Sequence, residues 1–260
     1  MSATLALPRW IGRQAIGAAA QVGRFSLMVV ELIRAFGEVR IWVPRALDEA
    51  RNIGVGSLFI VLLISAFAGG VTAFQAGYQF QANLPVYIVG TIVVSTIVLE
   101  LGPVLTALIL AGRIGARYAA ELGTMRVTEQ IDALESLGRS PASHLIIPRV
   151  VAGLVMIPVL TIFSIAMGVI AGWWGAKQVL PLTDQDFVYG AQLFYKPFDS
   201  WYALIKSICF AAAITLIPCY VGFNTQQGAE GVGRATTGAV VASSVVILLL
   251  NVVLARVLLN

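Results

Sequence analysis

Charge is scarce in this chain, and so are the residues that most site chemistry needs. Only 12% of the 260 residues are charged, while 58% are apolar. A soluble domain is about a quarter charged and about half apolar. A water-facing globule is therefore excluded, and lipid is the natural solvent for the apolar surplus. The single histidine, His144, lies in a link beside Pro148. No second ligand stands near it, so it reads as a surface residue and no metal site is expected. Cys209 and Cys219 share one apolar run without C-x-x-C spacing, and they read as two buried thiols. No G-x-S-x-G occurs, which argues against an intramembrane serine hydrolase. No repeat period, low-complexity segment or linker marks a second domain.

Two further classes are set aside. The net charge of +4 is not clustered with exposed aromatics, so nucleic acid is not an expected partner. The cationic excess fits orientation in a bilayer. The nearest approach to a phosphate loop is GAEGVGRATTG, Gly228 to Gly238. Gly228 and Gly233 have the Walker A spacing. Arg234 and Ala235 stand where the lysine and hydroxyl residue belong, and no strand precedes them. The chain thus has no nucleotide site and no expected cofactor. If ATP drives it, another chain binds the ATP.

What is present is apolar and long. A spanning helix needs about 20 mostly apolar residues. Five runs qualify: 54–76, 84–111, 150–176, 201–222 and 239–259. Pro158 and Pro218 fall inside the third and fourth, and Gly168 and Gly172 form a G-x-x-x-G close-packing face in the third. Residues Trp10 to Phe36 differ. Ile11, Ala15, Ala19, Val22, Met28, Val29, Leu32, Ile33 and Phe36 form a helical stripe with arginines between. That pattern predicts a helix in the membrane interface, with a cytosolic helix packed on the body as the alternative. Arg9, Arg13, Arg24 and Arg34 also interrupt any signal-peptide core. The fold expected is all-α: five transmembrane helices, an N-terminal interfacial helix and a short cytosolic coupling helix. Residues 1–51 form the N-terminal segment and 52–260 the five-span domain.

Lys and Arg placement sets the orientation. Seven arginines, from Arg9 to Arg51, precede the first run, and none occurs in the link GYQFQAN that follows it. Arg113, Arg117, Arg126, Arg139 and Arg149 fill the next link, and Arg234 precedes the last run. The N-terminus is expected inside and the C-terminus outside.

Glu100 lies well inside the second run, where a carboxylate costs roughly 2.5–3.5 kcal/mol to insert. Such a residue faces a cavity, a partner charge or a substrate. The alternative is a run broken at Gly102-Pro103, with Glu100 at an interface. Lys206 is the other intramembrane charge. It lies near the outer end of its run, where snorkelling explains it, and spacing does not show a pair with Glu100. A third feature is ELGTMRVTEQIDALESLG, Glu121 to Gly138. Met125 to Leu137 predicts a helix stopped by Gly138 and Pro141. Glu129, Asp132 and Glu135 recur every three residues, an arc of about 120° on a 3.6-residue helix. The arc is solvated surface or the docking face of an aqueous partner.

At these residues the chain resembles the MlaE family of ABC-transporter permeases, which work with MCE proteins in lipid transport. The resemblance rests on ELGPVLTALILAGRIGARYAAELGTMRVTEQIDALESLG from Glu100, GAEGVGRATTGAVV from Gly228, KSICF from Lys206 and CYVG from Cys219. It covers most of the chain after Arg51. Family members often carry Arg before the ELGP glutamate; Leu99 stands there instead, so that charge pair is not carried over. The resemblance implies a homodimer, a cytosolic ABC ATPase, an MCE ring on the outer side and an accessory cytosolic subunit. It places the ATPase on the segment holding Glu121, Thr128, Glu129, Asp132 and Glu135. It implies a bacterial inner membrane and phospholipid or similar cargo. Glu100, with Leu99, Leu101 and Val104, is the expected lipid site. An ion-coupled secondary transporter using Glu100 and a structural scaffold are the rivals.

Single cysteines at Gln81 and Ser140, in a background lacking Cys209 and Cys219, should react with an impermeant reagent from opposite sides of the membrane. Labelling of both from one side would refute five spans.

Overall fold

The computed structural model describes residues 6–79, 85–226 and 228–259, with side chains described at 20, 21 and from 23 onward. The side chains of the Ile11, Ala15, Ala19 and Val22 part of the expected stripe are not among those described, and the 80–84 part of the first link lies outside the described residues.

Helix α1 is Ala6–Ala35 and α2 is Val39–Tyr78. The next rod is built from α3 (Ile88–Thr96), a π turn (Ile97–Leu101), α4 (Gly102–Leu110), a second π turn (Ala111–Gly115) and α5 (Ala116–Val127). Then come α6 (Gln130–Ser136), a π turn (Ala142–Ile146), α7 (Ile147–Val179), α8 (Asp184–Leu193), α9 (Pro197–Phe223) and α10 (Gly228–Leu258). No strand occurs among the described residues. Five helical segments are long and apolar enough to cross a membrane: Val39–Tyr78, Ile88–Val127, Ala142–Val179, Pro197–Phe223 and Gly228–Leu258. The five apolar runs fall within these segments, apart from the ends at Leu84 and Leu259.

Their lengths carry a second message. A helix of 40 residues is about 60 Å long, twice the roughly 30 Å of a hydrocarbon core. The apolar part of α2 starts near Gly54, and that of the Ile88–Val127 rod ends near Ala111. The surplus of both therefore projects on the same side, the side of α1 and α6. These projecting stems hold nine of the chain's 30 charged residues. Helix α2 runs unbroken across residues 51 and 52, so the expected domain boundary falls within a helix.

Three expectations are corrected. The second run is not broken at Gly102-Pro103. The π turn places Pro103 in the first turn of α4, where a missing N–H is tolerated. GAEGVGRATTG is not a loop but the opening of α10. Finally, α8 was not foreseen. Its start carries a capping box, with Thr183 and Asp186 side chains each bonded to the other's backbone N–H. Lys177 Nζ donates to Asp184 Oδ1 at 2.7 Å and holds that carboxyl below its ordinary pKa. Glycine lets α8 lie directly on α3: a Cβ at Gly190 or Gly90 would strike the opposing backbone.

The G-x-x-x-G face of α7 does pack closely. It meets α2, where a Cβ on Gly69 would collide with the Gly168 carbonyl oxygen. Ser65 Oγ and Ser164 Oγ lie 2.6 Å apart on the same crossing. Small residues with a polar contact are what holds helices together in lipid. A methyl group at Gly69 should therefore act as an overpacking change of about 1–3 kcal/mol. At Gly70 it meets nothing within 4 Å. Gly69→Ala should lower the thermal midpoint of the purified protein, and Gly70→Ala should not. Equal midpoints would show that the crossing yields.

Candidate functional site

Two polar clusters stand at opposite ends of the same long rod. The first gathers around Glu100, in the π turn that interrupts the Ile88–Val127 span. Lys206, on α9, approaches Glu100 Oε2 at 3.0 Å, and Asn251 Nδ2, on α10, donates to the same oxygen at 3.1 Å. The Lys206 side chain is fully buried, whereas that of Glu100 is 43% exposed. Lys206 lies nine residues into α9, about 14 Å along its axis from Pro197. The snorkelling expectation is thus corrected: the ammonium turns inward and is paired.

A backbone group explains why. In an α-helix the carbonyl of Leu99 would accept from residue 103, and Pro103 has no N–H to give. Lys206 Nζ donates to Leu99 O at 2.7 Å instead. One ammonium thus meets a carboxylate and an orphaned carbonyl, and it also sits 4.9 Å from the Tyr202 ring centre. Position 99 holds a leucine, and the cation reaches Glu100 from α9. Two buried polar atoms of this cluster have no partner, Tyr202 Oη and Asn251 Oδ1. The cluster therefore presents a half-open carboxylate, with an unused donor and acceptor buried beside it. Leu99 and Val104 are half-buried on the same stretch. Leu101 is not gathered there, because it borders a small crevice with Ser65 and Ser164 toward α2 and α7.

The second cluster ties the projecting stems together. Arg117 Nε donates to Glu121 Oε1 at 2.6 Å, and Arg149 Nη2 donates to Glu121 Oε2 at 3.0 Å. Arg117 also lies 3.6 Å from Glu49 Oε1, which brings in α2. Tyr118 Oη donates to Glu49 at 3.5 Å, and the Arg149 guanidinium stacks over the Tyr118 ring at 5.4 Å. Glu121 is therefore engaged inside the chain and half-buried. His144 lies beside this cluster, only 4% exposed. Its ring nitrogens approach Arg139 and Ser143 at 3.2 and 3.4 Å. It is not the surface residue expected, because the π turn at Ala142–Ile146 carries it under the stems. No group of three metal-ligating side chains occurs among the described residues.

The acidic element sits beside the clasp. It is not one helix over Met125 to Leu137: α5 runs to Val127, and α6 restarts at Gln130. Glu129, between them, has φ +58°, the one non-glycine residue in the left-handed region among those described. That conformation costs about 1–2 kcal/mol for a side chain with a Cβ, and it turns α6 out of line with α5. The expected stop at Gly138 is present, with φ +69° and Arg139 N–H returning to the Leu134 carbonyl at 3.1 Å. Ile131 is fully buried beneath α6, and Leu134 lines a polar cavity with Glu49 and Arg149. Thr128, Glu129, Asp132 and Glu135 remain exposed on the outer face, with Asp132 paired to Arg126.

Comparison with known proteins fits this arrangement. The family model described as Permease MlaE matches residues 46–257. The chain is 37% identical over 247 residues to the probable ABC transporter permease protein RP096 of Rickettsia prowazekii, covering 95% of each. It is 37% identical over 205 residues to the probable ABC transporter permease protein slr1045 of Synechocystis, covering 79% of this chain and 78% of that protein. The chloroplastic protein TRIGALACTOSYLDIACYLGLYCEROL 1 of Arabidopsis thaliana is 36% identical over 208 residues, 80% of this chain and 59% of that protein.

Lys206→Met removes the partner of Glu100 and the donor to Leu99 O together. Leaving buried polar groups unmet costs about 1–3 kcal/mol. Lys206→Met should therefore lower thermal stability more than Glu100→Gln, which keeps a polar group within reach of the lysine. Adding Pro103→Ala, which restores an N–H near Leu99 O, should recover part of the loss. No recovery would mean that the carbonyl does not depend on Lys206.

Proposed function

The chain belongs to the MlaE permease family and is a membrane-spanning ABC-transporter permease subunit, and on that footing we propose that its cargo is phospholipid or a similar lipid. The observation that carries this reading is the Glu100 cluster. Its half-open carboxylate, with the Tyr202 hydroxyl and the Asn251 carbonyl oxygen unpartnered, suits a polar head group. The apolar spans around it suit acyl chains. The cargo passes between the bacterial inner membrane and an MCE-domain ring on its outer side. The N-terminus is cytoplasmic and the C-terminus periplasmic.

Two copies work together. Helix α10 leaves Val241, Val245, Leu248 and Val252 exposed along one side. A two-fold axis near that face brings two Glu100 carboxylates to one central cavity, with Leu99 and Val104 as apolar contacts. ATP is hydrolysed by a separate cytosolic ATPase, with an accessory cytosolic subunit beside it. The ATPase grips the exposed face of α6 and its elbow: Thr128, Glu129, Asp132 and Glu135. Glu121 serves the same coupling from inside, by holding α5 to α7 through Arg149.

The reading predicts separate losses. Glu100→Gln should preserve assembly and reduce lipid-stimulated ATP hydrolysis by the purified complex. The Glu129→Lys, Asp132→Lys pair should weaken co-purification of the ATPase. Reversing charges that are buried at a docked face costs about 2–5 kcal/mol, whereas rim charges matter little. Normal lipid stimulation in Glu100→Gln would remove Glu100 from the cargo site. Full ATPase recovery with the pair would leave the acidic arc as solvated surface.

A further inference from the structure

The second lipid-sized feature of the molecule lies at the opposite end from Glu100. Helix α1 touches the body along one row, Met28, Leu32 and Ala35, which is buried. It is also fastened at Tyr220, whose hydroxyl donates to Gln21 O at 3.3 Å and whose ring meets Phe25 edge-on at 5.4 Å. The next row is Val29, Ile33 and Phe36, of which Phe36 packs its ring on Trp42 at 5.1 Å. It overhangs a gap of about 410 Å³, across which Val150, Val151 and Leu154 of α7 face it. Every lining residue is apolar. Ile33 is 71% exposed and Phe36 51% exposed, so two apolar walls face each other with no protein between them.

Depth identifies what fills the gap. Leu154 lies four residues into the third apolar run, and Leu216, also in the wall, lies seven residues from the α9 end at Phe223. The groove thus reaches about 10 Å below the helix ends, the boundary between head groups and acyl chains, where an interfacial helix lies. Trp42 marks the head-group level at the mouth, its indole N–H donating to Phe36 O at 3.0 Å. Helix α1 carries four arginines against one glutamate, a charge that attracts anionic lipid.

We propose that this groove holds one acyl chain of an anionic phospholipid from the leaflet on the α1 side, and that the lipid fastens α1 to α7. The site is distinct from the cargo site. Leu216 is ten residues beyond Lys206 on α9, about 15 Å away along the axis.

The test uses the complete transporter in vesicles of phosphatidylethanolamine and phosphatidylglycerol, with phosphatidylglycerol carrying a mid-chain diazirine as the probe. Crosslinks are mapped by mass spectrometry. Labelling of 29–36 and 147–154 should exceed that of Phe59 and Phe67, which are exposed on α2, and should persist after a chase with unlabelled lipid. Ile33→Asp, at an exposed position that leaves the core intact, should reduce groove labelling about tenfold, the equivalent of withdrawing two methylenes. Leu154→Trp, which fills the groove, should do the same. Glu100→Gln should leave groove labelling unchanged, so loss of the cargo reading and loss of this one are separable. Groove labelling no stronger than at Phe59 and Phe67 would overturn the proposal. So would benzoylphenylalanine at position 33 crosslinking to protein, whether a second copy or the N-terminal segment.

Discussion

A fully buried ammonium within the spanning part of the chain is the constraint on which the meeting of three helices depends. Lys206 cannot be hydrated there, and a lone charge at that depth is among the most expensive features a membrane protein carries. It is tolerated because three elements converge on it. The Ile88–Val127 rod supplies a carboxylate and a carbonyl freed by Pro103, α9 supplies the lysine itself, and α10 supplies Asn251 as a second donor to Glu100. Breaking a buried pair costs more than making it gains. The cluster therefore fixes where the three helices stand more than it stabilises them, and it leaves Glu100 open on one side.

The same rod carries the second cluster. From Glu100 to Glu121 is 21 residues, about 32 Å of helix. The two π turns lie within or just above this stretch, and each places a polar residue, Glu100 or Arg113, against another helix. Arg113 donates to Ser57 Oγ at 2.7 Å. A π turn shifts the side chains that follow it around the axis, which is why such turns recur at functional positions. The rod thus runs without a loop from the Glu49–Arg117–Glu121 clasp to the polar cluster around Glu100.

Much of this was legible before any coordinates. Five spans follow from hydropathy alone, because lipid accepts only helices with every backbone group satisfied. The G-x-x-x-G at Gly168 and the stop at Gly138 were legible as local chemistry. The Glu100–Lys206 pair was not. It joins residues from distant helices, and no spacing rule reports which helices touch. A clue lay in the sequence even so: Pro103 frees the carbonyl four residues back, so a donor had to reach Leu99 from elsewhere. The elbow at Glu129 left no such clue, because a glutamate does not signal positive φ. Helix α8 did leave one, the Thr183–Asp186 capping pair, in a stretch that reads as a link by hydropathy. His144 was misplaced because its neighbours, not its own type, decide its burial.

The two clusters differ in one respect that bears on how the molecule works. At the stems, Glu121 uses both carboxylate oxygens on arginines and Glu49 meets Arg117 and Tyr118, while the buried Arg149 Nε has no partner. A network of paired charges resists rearrangement, because displacement strands a charge in a partly buried setting. Around Glu100, in contrast, a hydroxyl and an amide oxygen stay unpaired and the carboxylate is half-open. An unsaturated cluster in apolar surroundings gains by accepting a polar ligand. One end of the rod thus has its carboxylates tied to arginines, and the other has a half-open carboxylate.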